Sequence, residues 1–315
     1  MYLVDGTSYL HRAYHAIAPL STSKGFPTNA VMGFSRMLLK LLAEESPQYL
    51  AVIFDAKGPT FRHKIYDQYK ANRPPMAEDM AVQIPKVKKI LDALNIKTLE
   101  KQGYEADDII GTLTKKAEEE GWQVVLVTGD KDFRQLLSPS TYMWDTMRDK
   151  VTRYQDLKKD FGLEPEQLVD VMGLSGDSSD NIPGVNGVGE KTAMRLIQEF
   201  GSLEEVLEHI DLIKGKKLKE NLSRCKDQAL LSKKLVTIDC SVPLDIDLNE
   251  LKVGPPDRER LAQIFRELEF KGLWEQFAER SHERVDYRLC SSQDELRELV
   301  QEIKKKGLIS FDTET

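Results

Sequence analysis

Nine carboxylates in this chain fall where acids serve chemistry better than solubility. Glu105, Asp107 and Asp108 occupy three of four consecutive positions after Gly103 and Tyr104. Asp130 and Asp132 follow one apolar run later, in Thr128-Gly129-Asp130-Lys131-Asp132. Asp5 and Asp55 each close a short apolar run, and Asp177 and Asp180 lie in Gly176-Asp177-Ser178-Ser179-Asp180-Asn181. Acids in a first helical turn suit the positive end of the helix dipole, which explains one or two carboxylates but not three in four residues. On such a turn Glu105 and Asp108 share a face, and Asp107 points elsewhere. Acids gathered at one sheet edge would repel each other unless a cation sat among them. Oxygen ligands alone suit Mg2+, with Mn2+ as a substitute, rather than zinc. No histidine accompanies the acid cluster, so a side-chain general base is not expected. His11 and His15 have no acid or cysteine at ligand spacing and read as surface or packing residues.

The apolar pattern supplies the elements that would gather these acids. Residues 1–4, 49–54, 96–99 and 122–127 read as strands, the last a continuous apolar run of the kind buried in a parallel sheet. Three of these runs deliver an aspartate to one end, where open α/β sheets place their chemistry. Asn29 or Thr28 caps a helix running to about Glu45, which Pro47 ends. Ile109, Ile110, Leu113 and Ala117 form the stripe of another helix. Residues 142–144 and 151–154 read as edge strands. The fold class is therefore α/β, with a doubly wound, mostly parallel sheet.

Residues 57–75 differ in character. Arg62, Tyr66, Tyr69 and Arg73 are spaced to share one helical face, with Lys57, His63, Lys64 and Lys70 beside them and the single acid Asp67. Basic and aromatic side chains interleaved in this way suit phosphate gripping and base stacking. The plainer reading is a solvated amphipathic helix whose tyrosines pack on the core. A helix over 77–94 follows, with Pro85 as an expected kink, so 57–94 reads as a helical arch.

Helices dominate from Tyr154 onward. After a short one at 165–174, the run from Ile182 to Ala193 contains Gly184, Gly187 and Gly189 and leads into a helix starting near Glu190. Glycines allow close approach, and the free N–H groups of that helix start suit an anion. With Lys191, this reads as the hairpin of a helix-hairpin-helix grip on a DNA backbone. No apolar strand precedes it, which argues against a dinucleotide fingerprint. Residues 242–248 read as extended, and 258–277 as one amphipathic helix with Leu261, Phe265 and Leu268 inward. The expected organisation is a core over 1–160, a helical region over 161–280, a linker at 281–288, and the opening of a further domain at 289–315. That opening holds a helix at 293–306 and a strand ending in Asp312 and Glu314, so the sequence is expected to be a piece of a longer protein.

Composition narrows the function class. The 315 residues carry 45 basic against 52 acidic side chains, a formal charge of −7. With the nine acids set aside, the two signs nearly balance, so the net charge does not exclude nucleic acid. Cys225, Cys240 and Cys290 show no paired spacing, which excludes a disulfide framework or zinc site. The amino terminus is not a signal peptide. The most apolar segment, 31–43, is broken by Arg36 and Lys40, so no membrane span is expected. A cytoplasmic, nucleoid-associated monomer is the expectation.

Asp5-Gly6-Thr7 after a strand is similar to haloacid-dehalogenase-like phosphatases, but that family needs an aspartate where this chain has Leu3. A non-catalytic DNA-binding module is the other alternative. The fuller resemblance rests on Leu-Val-Asp-Gly (3–6), Phe-Asp-Ala-Lys-Gly (54–58), Tyr-Lys-x-x-Arg-Pro-Pro (69–75), Glu-Ala-Asp-Asp (105–108), Thr-Gly-Asp-Lys-Asp (128–132) and Gly-Asp-Ser-Ser-Asp-Asn-Ile-Pro-Gly-Val (176–185). In this order they resemble the amino-terminal 5′ nuclease domain of bacterial DNA polymerase I, a member of the flap endonuclease family.

The resemblance, which covers roughly residues 1–278, implies a PIN-like nuclease fold with an arch and a helix-hairpin-helix region. It implies Asp5, Asp55, Glu105, Asp107 and Asp108 as ligands of one divalent ion, and Asp130, Asp132, Asp177 and Asp180 of a second. It implies Arg62, Tyr69, Lys70 and Arg73 as arch contacts to a displaced 5′ strand, with Lys70 or Arg73 adding charge at the phosphate, and a potassium ion at the Gly184–Gly189 hairpin. Asp312 and Glu314 resemble the first motif of a 3′–5′ proofreading domain, whose remainder is absent here. The implied activity is metal-dependent cleavage at 5′ flaps, nicks and RNA-primed 5′ ends, beside polymerase and proofreading domains of the same parent chain.

Overall fold

The computed structural model describes residues 1–278 and 290–306; the expected linker, the strand over 307–314, Asp312 and Glu314 lie outside the described residues. Six strands, β1 (Tyr2–Asp5), β2 (Leu50–Ile53), β3 (Lys97–Leu99), β4 (Val124–Val127), β5 (Thr141–Asp145) and β6 (Lys150–Thr152), form one sheet in the order β3-β2-β1-β4-β5-β6. The first five are parallel, and β6 returns antiparallel to β5. β5 is thus interior and only β6 lies at that edge, where two edge strands were expected. Successive strand residues feed opposite faces, as the pleat requires. Leu3, Ile53, Val124 and Leu126 enter one apolar cluster, and Val4, Val52, Val125 and Val127 enter the other. Both faces are covered, which is why these strands are apolar without alternation.

Helices α1 (Gly6–Ala16) and α2 (Asn29–Glu45) pack on each other across one face. Gly6 lets α1 leave β1 at once: a Cβ there would stand 2.7 Å from Val52 Cγ1 and 2.8 Å from the Ile53 carbonyl. The arch segment departs from expectation. Its first helix, α3 (Phe61–Ile65), ends after five residues, because Tyr66 is extended (φ −146°, ψ 105°). Residues 67–72 are turns, so Arg62, Tyr66, Tyr69 and Arg73 share no helical face. Pro85 does not kink a long helix either. It sits in the first turn of a separate one, where its missing N–H has no partner to lose, giving α4 (Glu78–Ala81) and α5 (Ile84–Ala93).

Helix α6 (Ala106–Glu119) carries Ile109, Ile110, Leu113 and Ala117 into the second face. Beyond the sheet come α7 (Tyr154–Phe161), α8 (Leu168–Ser175), α9 (Glu190–Phe200), α10 (Leu203–Glu208), α11 (Lys216–Arg224) and α12 (Lys226–Val236). α8 is their hub, packing on α9 and α12. Leu174, Leu196 and Ala229 belong to the same cluster as Leu3 and Leu126, so this layer continues the core of the sheet. The expected helix over 258–277 is two, α13 (Arg258–Glu267) and α14 (Lys271–Phe277), parted at Glu269 with φ 59°. Residues 242–248 form no strand. Separately, α15 (Gln293–Lys306) matches the expected helix. Among the described residues no helix is long and apolar enough to cross a membrane.

Candidate active site

The sheet order sets the site. β1 lies between β2 and β4, so connections leave it in opposite directions and a crevice opens beyond its carboxyl end. Asp5 ends β1, Asp55 follows β2 and Asp130 follows β4. Together with Glu105 and Asp107 at the start of α6, Asp132, Asp177 and Asp180, they line one cavity of about 290 Å³. Eight of the nine acids singled out by sequence therefore meet. Lys70 and Arg73 line the same cavity.

Local bonds aim each carboxylate. Asp5 caps α1, accepting from Ser8 N at 2.9 Å and from Thr128 Oγ1 at 3.1 Å. Asp55 accepts from Ala106 N at 2.8 Å, tying the end of β2 to the start of α6. Glu105 accepts from Tyr69 Oη at 2.9 Å and Lys70 Nζ at 2.8 Å. Asp180 accepts from Tyr69 Oη at 3.2 Å and from Arg73. Asp177 accepts from Ser179 N at 2.7 Å and pairs with Lys131 at 3.1 Å. The arch base is pinned to this acid loop, because Lys70 N donates to the Asp180 carbonyl at 2.9 Å and Asn72 Nδ2 to that of Ser178 at 2.7 Å.

The electrostatics ask for positive charge. Burial, then Asp55 and Asp130, push the Asp5 carboxyl up to about 7. Burial, then Asp130 and Asp177, do the same to Asp132, also to about 7. Asp107 is raised well above the usual carboxylate range by burial and by Asp5, Asp130, Glu105 and Asp55 around it. Asp177 goes the other way: burial would raise it, but the Ser179 bonds and Lys131 hold it below the usual range. Asp132 Oδ1 is buried with no hydrogen-bond partner. An orphaned carboxylate oxygen among repelling acids fits a hard cation. Among the described residues no three acid, histidine or cysteine side chains form a ready ligand shell; the acids line the walls rather than meet at a point.

The structure corrects several residue assignments. Asp108 is fully buried and turned away from the cavity. Both its oxygens accept from the Arg62 guanidinium at 2.7 Å, and Asp239 N and Glu105 N donate to them as well. In this arrangement Asp108 is an ion-pair partner at the wall behind the cavity rather than part of its lining. Arg62 is 2 % exposed, with its guanidinium turned to Asp108. Tyr69, 3 % exposed, braces Glu105 and Asp180 rather than offering a stacking face. Tyr66 packs partly buried beside it. Gly184 is buried too: its N donates to Ser232 Oγ at 3.0 Å, and a Cβ would overlap the backbone of Ser175 and Gly176. Gly184→Ala is therefore expected to destabilise by more than about 1 kcal/mol, read as a lower urea midpoint. Gly187, Gly189 and Lys191 remain exposed at the start of α9.

Sequence reasoning missed His11 and Arg12, which also line the cavity. Burial, then His15 and Arg73, lower the His11 imidazole below its usual range, against Asp55, which raises it. Arg12 Nη2 donates to Asp145 at 2.9 and 3.0 Å, while its Nη1 is buried without a partner. The available signal was Asp145, a fourth acid closing an apolar strand.

Comparison with known proteins places this geometry. The family model described as the 5′-3′ exonuclease N-terminal resolvase-like domain matches residues 1–162, and that of the 5′-3′ exonuclease C-terminal SAM fold matches 163–259. A 5′-3′ exonuclease from Aquifex aeolicus is 42 % identical over 87 % of this chain and 93 % of its own. DNA polymerase I of Bacillus subtilis is 46 % identical over 89 % of this chain, which spans 32 % of that relative's length. Among solved structures, T5 5′-exonuclease with divalent metal ions (zinc) bound superposes with a TM-score of 0.63 at 20 % identity, over 88 % of this chain and 99 % of its own. The catalytic core of Rad2 in complex with DNA substrate gives 0.59 at 17 %, over 88 % and 92 %. Both share the fold.

Proposed function

The chain belongs to the 5′–3′ exonuclease family, and from that premise we propose that its acid cavity cuts DNA phosphodiesters at 5′ ends and flap junctions with the help of divalent cations. The observation that carries this reading is the cavity itself, where eight carboxylates from the sheet edge, α6 and the 176–181 loop face one space. Asp5, Asp55, Glu105, Asp107, Asp130, Asp132, Asp177 and Asp180 would hold the cations, Mg2+ in the cell with Mn2+ able to replace it. Bound there, such ions supply Lewis-acid stabilisation of phosphoryl oxygens and activation of the attacking water.

The chain's own residues do the rest. Lys70 and Arg73, now paired with Glu105 and Asp180, stand where a phosphate would draw them off the carboxylates and be neutralised. Tyr69 keeps Glu105 and Asp180 aimed inward. The exposed turn at Gly187, Gly189 and Lys191 would grip the duplex backbone, with potassium at the hairpin. A substrate chosen by a 5′ end and a duplex grip is chosen by structure, not sequence: flaps, nicks and RNA-primed 5′ ends, as replication and repair produce. In the parent protein, polymerase and proofreading domains would follow, and the chain would act as a monomer in the cytoplasm.

The test is cleavage of a 5′-labelled flap duplex with Mg2+ and with EDTA. Cleavage only with the cation supports the reading. Binding of the flap without cutting under any divalent ion overturns it in favour of a DNA-binding module. Lys70→Ala and Arg73→Ala are each expected to slow cutting by about 10²-fold, measured in single turnover on the same substrate.

A further inference from the structure

Beside the acid cavity lies a second one, of about 230 Å³, that the cleavage reading leaves unused. It opens between the 3₁₀ turn Lys131–Leu136, the end of α7, and helices α8 and α9. Its lining is mixed, with Phe161, Val171, Met172 and Met194 as the apolar part and Ser175 and Ser178 among the polar part. Its rim is charged, with Lys131 and Arg134 on one side and Glu190 on the other. The Arg134 guanidinium stands over the Phe161 ring, 5.7 Å from its centroid. Lys131 lines both cavities and pairs with Asp177 at 3.1 Å, so the two spaces share a wall.

We propose that this second cavity binds a nucleoside 5′-monophosphate, with its base between Phe161 and Met194 and its phosphate on Lys131 and Arg134. The shape and charge argue for that class. The volume is below the roughly 300 Å³ at which pockets for drug-sized ligands begin, and suits one flat ring system. An aromatic ring and two thioethers on the same lining favour a π-face over an aliphatic chain. Two cations at the mouth match a phosphate, and a guanidinium already stacked on a ring is placed to serve both halves of the ligand. Ser175, on the same lining, offers a hydroxyl to the base edge. A phosphate held here would draw Lys131 from Asp177, so occupancy would be felt in the acid cavity.

This inference rests on the proposed reading only for the identity of the nucleotide, which could be a released product or the terminal residue of a bound strand. Equilibrium dialysis of labelled dAMP against the chain in EDTA tests it without calling on cleavage. Saturable binding is expected, weakened about tenfold or more by Arg134→Ala, which removes a charged contact, and by Met194→Trp, which fills the space. Both variants should keep the wild-type melting temperature within a few degrees and should still cut flaps. A 5′-phosphorylated oligonucleotide that displaces dAMP assigns the site to a strand end; one that does not assigns it to the free product. The proposal fails if dAMP does not saturate, if neither variant weakens it, or if inorganic phosphate binds as tightly. A wild-type chain that cuts flaps but binds no dAMP sinks this site alone, whereas one that binds dAMP but cuts nothing sinks the reading of the acid cavity alone.

Discussion

Asp107→Asn is expected to cut cleavage by on the order of 10²–10³-fold while making the cation-free protein more stable. The two effects share one cause. Asp107 is crowded by Asp5, Asp130, Glu105 and Asp55 and is raised well above the ordinary carboxylate range. An amide of the same shape removes that repulsion, which should add about 0.5–2 kcal/mol, and it removes a donor that a cation needs. The pH dependence has a definite sign. A carboxyl whose folded-state value is raised favours the protonated folded protein, so folding is strongest below the unfolded value. That contribution is lost as pH rises towards the folded one. With Asp5 and Asp132 up to about 7, the cation-free wild type should lose stability between pH 4 and 7 and level off above. Asp107→Asn should lose less over that window. Urea midpoints in EDTA at pH 5 and pH 8 measure the difference; equal slopes for the two proteins would contradict the repulsion.

Arg62→Ala is expected to destabilise the fold by about 3–5 kcal/mol. The guanidinium is buried and makes four hydrogen bonds: two to Asp108 at 2.7 Å, Nε to the Leu235 carbonyl at 2.9 Å, and Nη2 to that of Thr237 at 2.8 Å, with Glu105 Oε2 3.5 Å from Nη1. Asp239 N adds a bond to Asp108. Arch, α6 and the segment after α12 therefore meet at one ion pair. Removing the arginine leaves Asp108 charged and buried without its partner, which is worse than removing both. Asp108→Asn keeps one acceptor oxygen, enough for one of the two backbone donors, and leaves no buried unpaired carboxylate, so it should cost less. Thermal melts read both, and calorimetric titration of Mn2+ separates the roles. Asp108→Asn should still bind the ion, and a variant that melts normally but binds none would restore Asp108 to the ligand set.

The sheet and the convergence of acids were legible because a parallel strand buried on both faces is a continuous apolar run, and three of the runs lead to an aspartate at one end. Parallel order then places those ends along one edge. Side-chain direction within a turn was not legible. Spacing grouped Asp108 with Glu105 and set Asp107 apart, yet Asp107 lines the cavity and Asp108 turns inward. The partner that decides this, Arg62, is 46 residues away. The spacing of Arg62, Tyr66, Tyr69 and Arg73 suits a helix and suits equally a short helix followed by turns pinned at Asp180. Only the long-range bonds select the second. Arg12 escaped notice because its partner Asp145 lies 133 residues along the chain.

Anomalous scattering from Mn2+-soaked crystals addresses the cation claim without intermediaries. The account predicts manganese inside the cavity bounded by Asp5, Asp107, Asp130 and Asp132, with Asp108 still clasped by Arg62. A crystal of protein competent to cut flaps, with manganese elsewhere and that cavity free of it, would contradict the account.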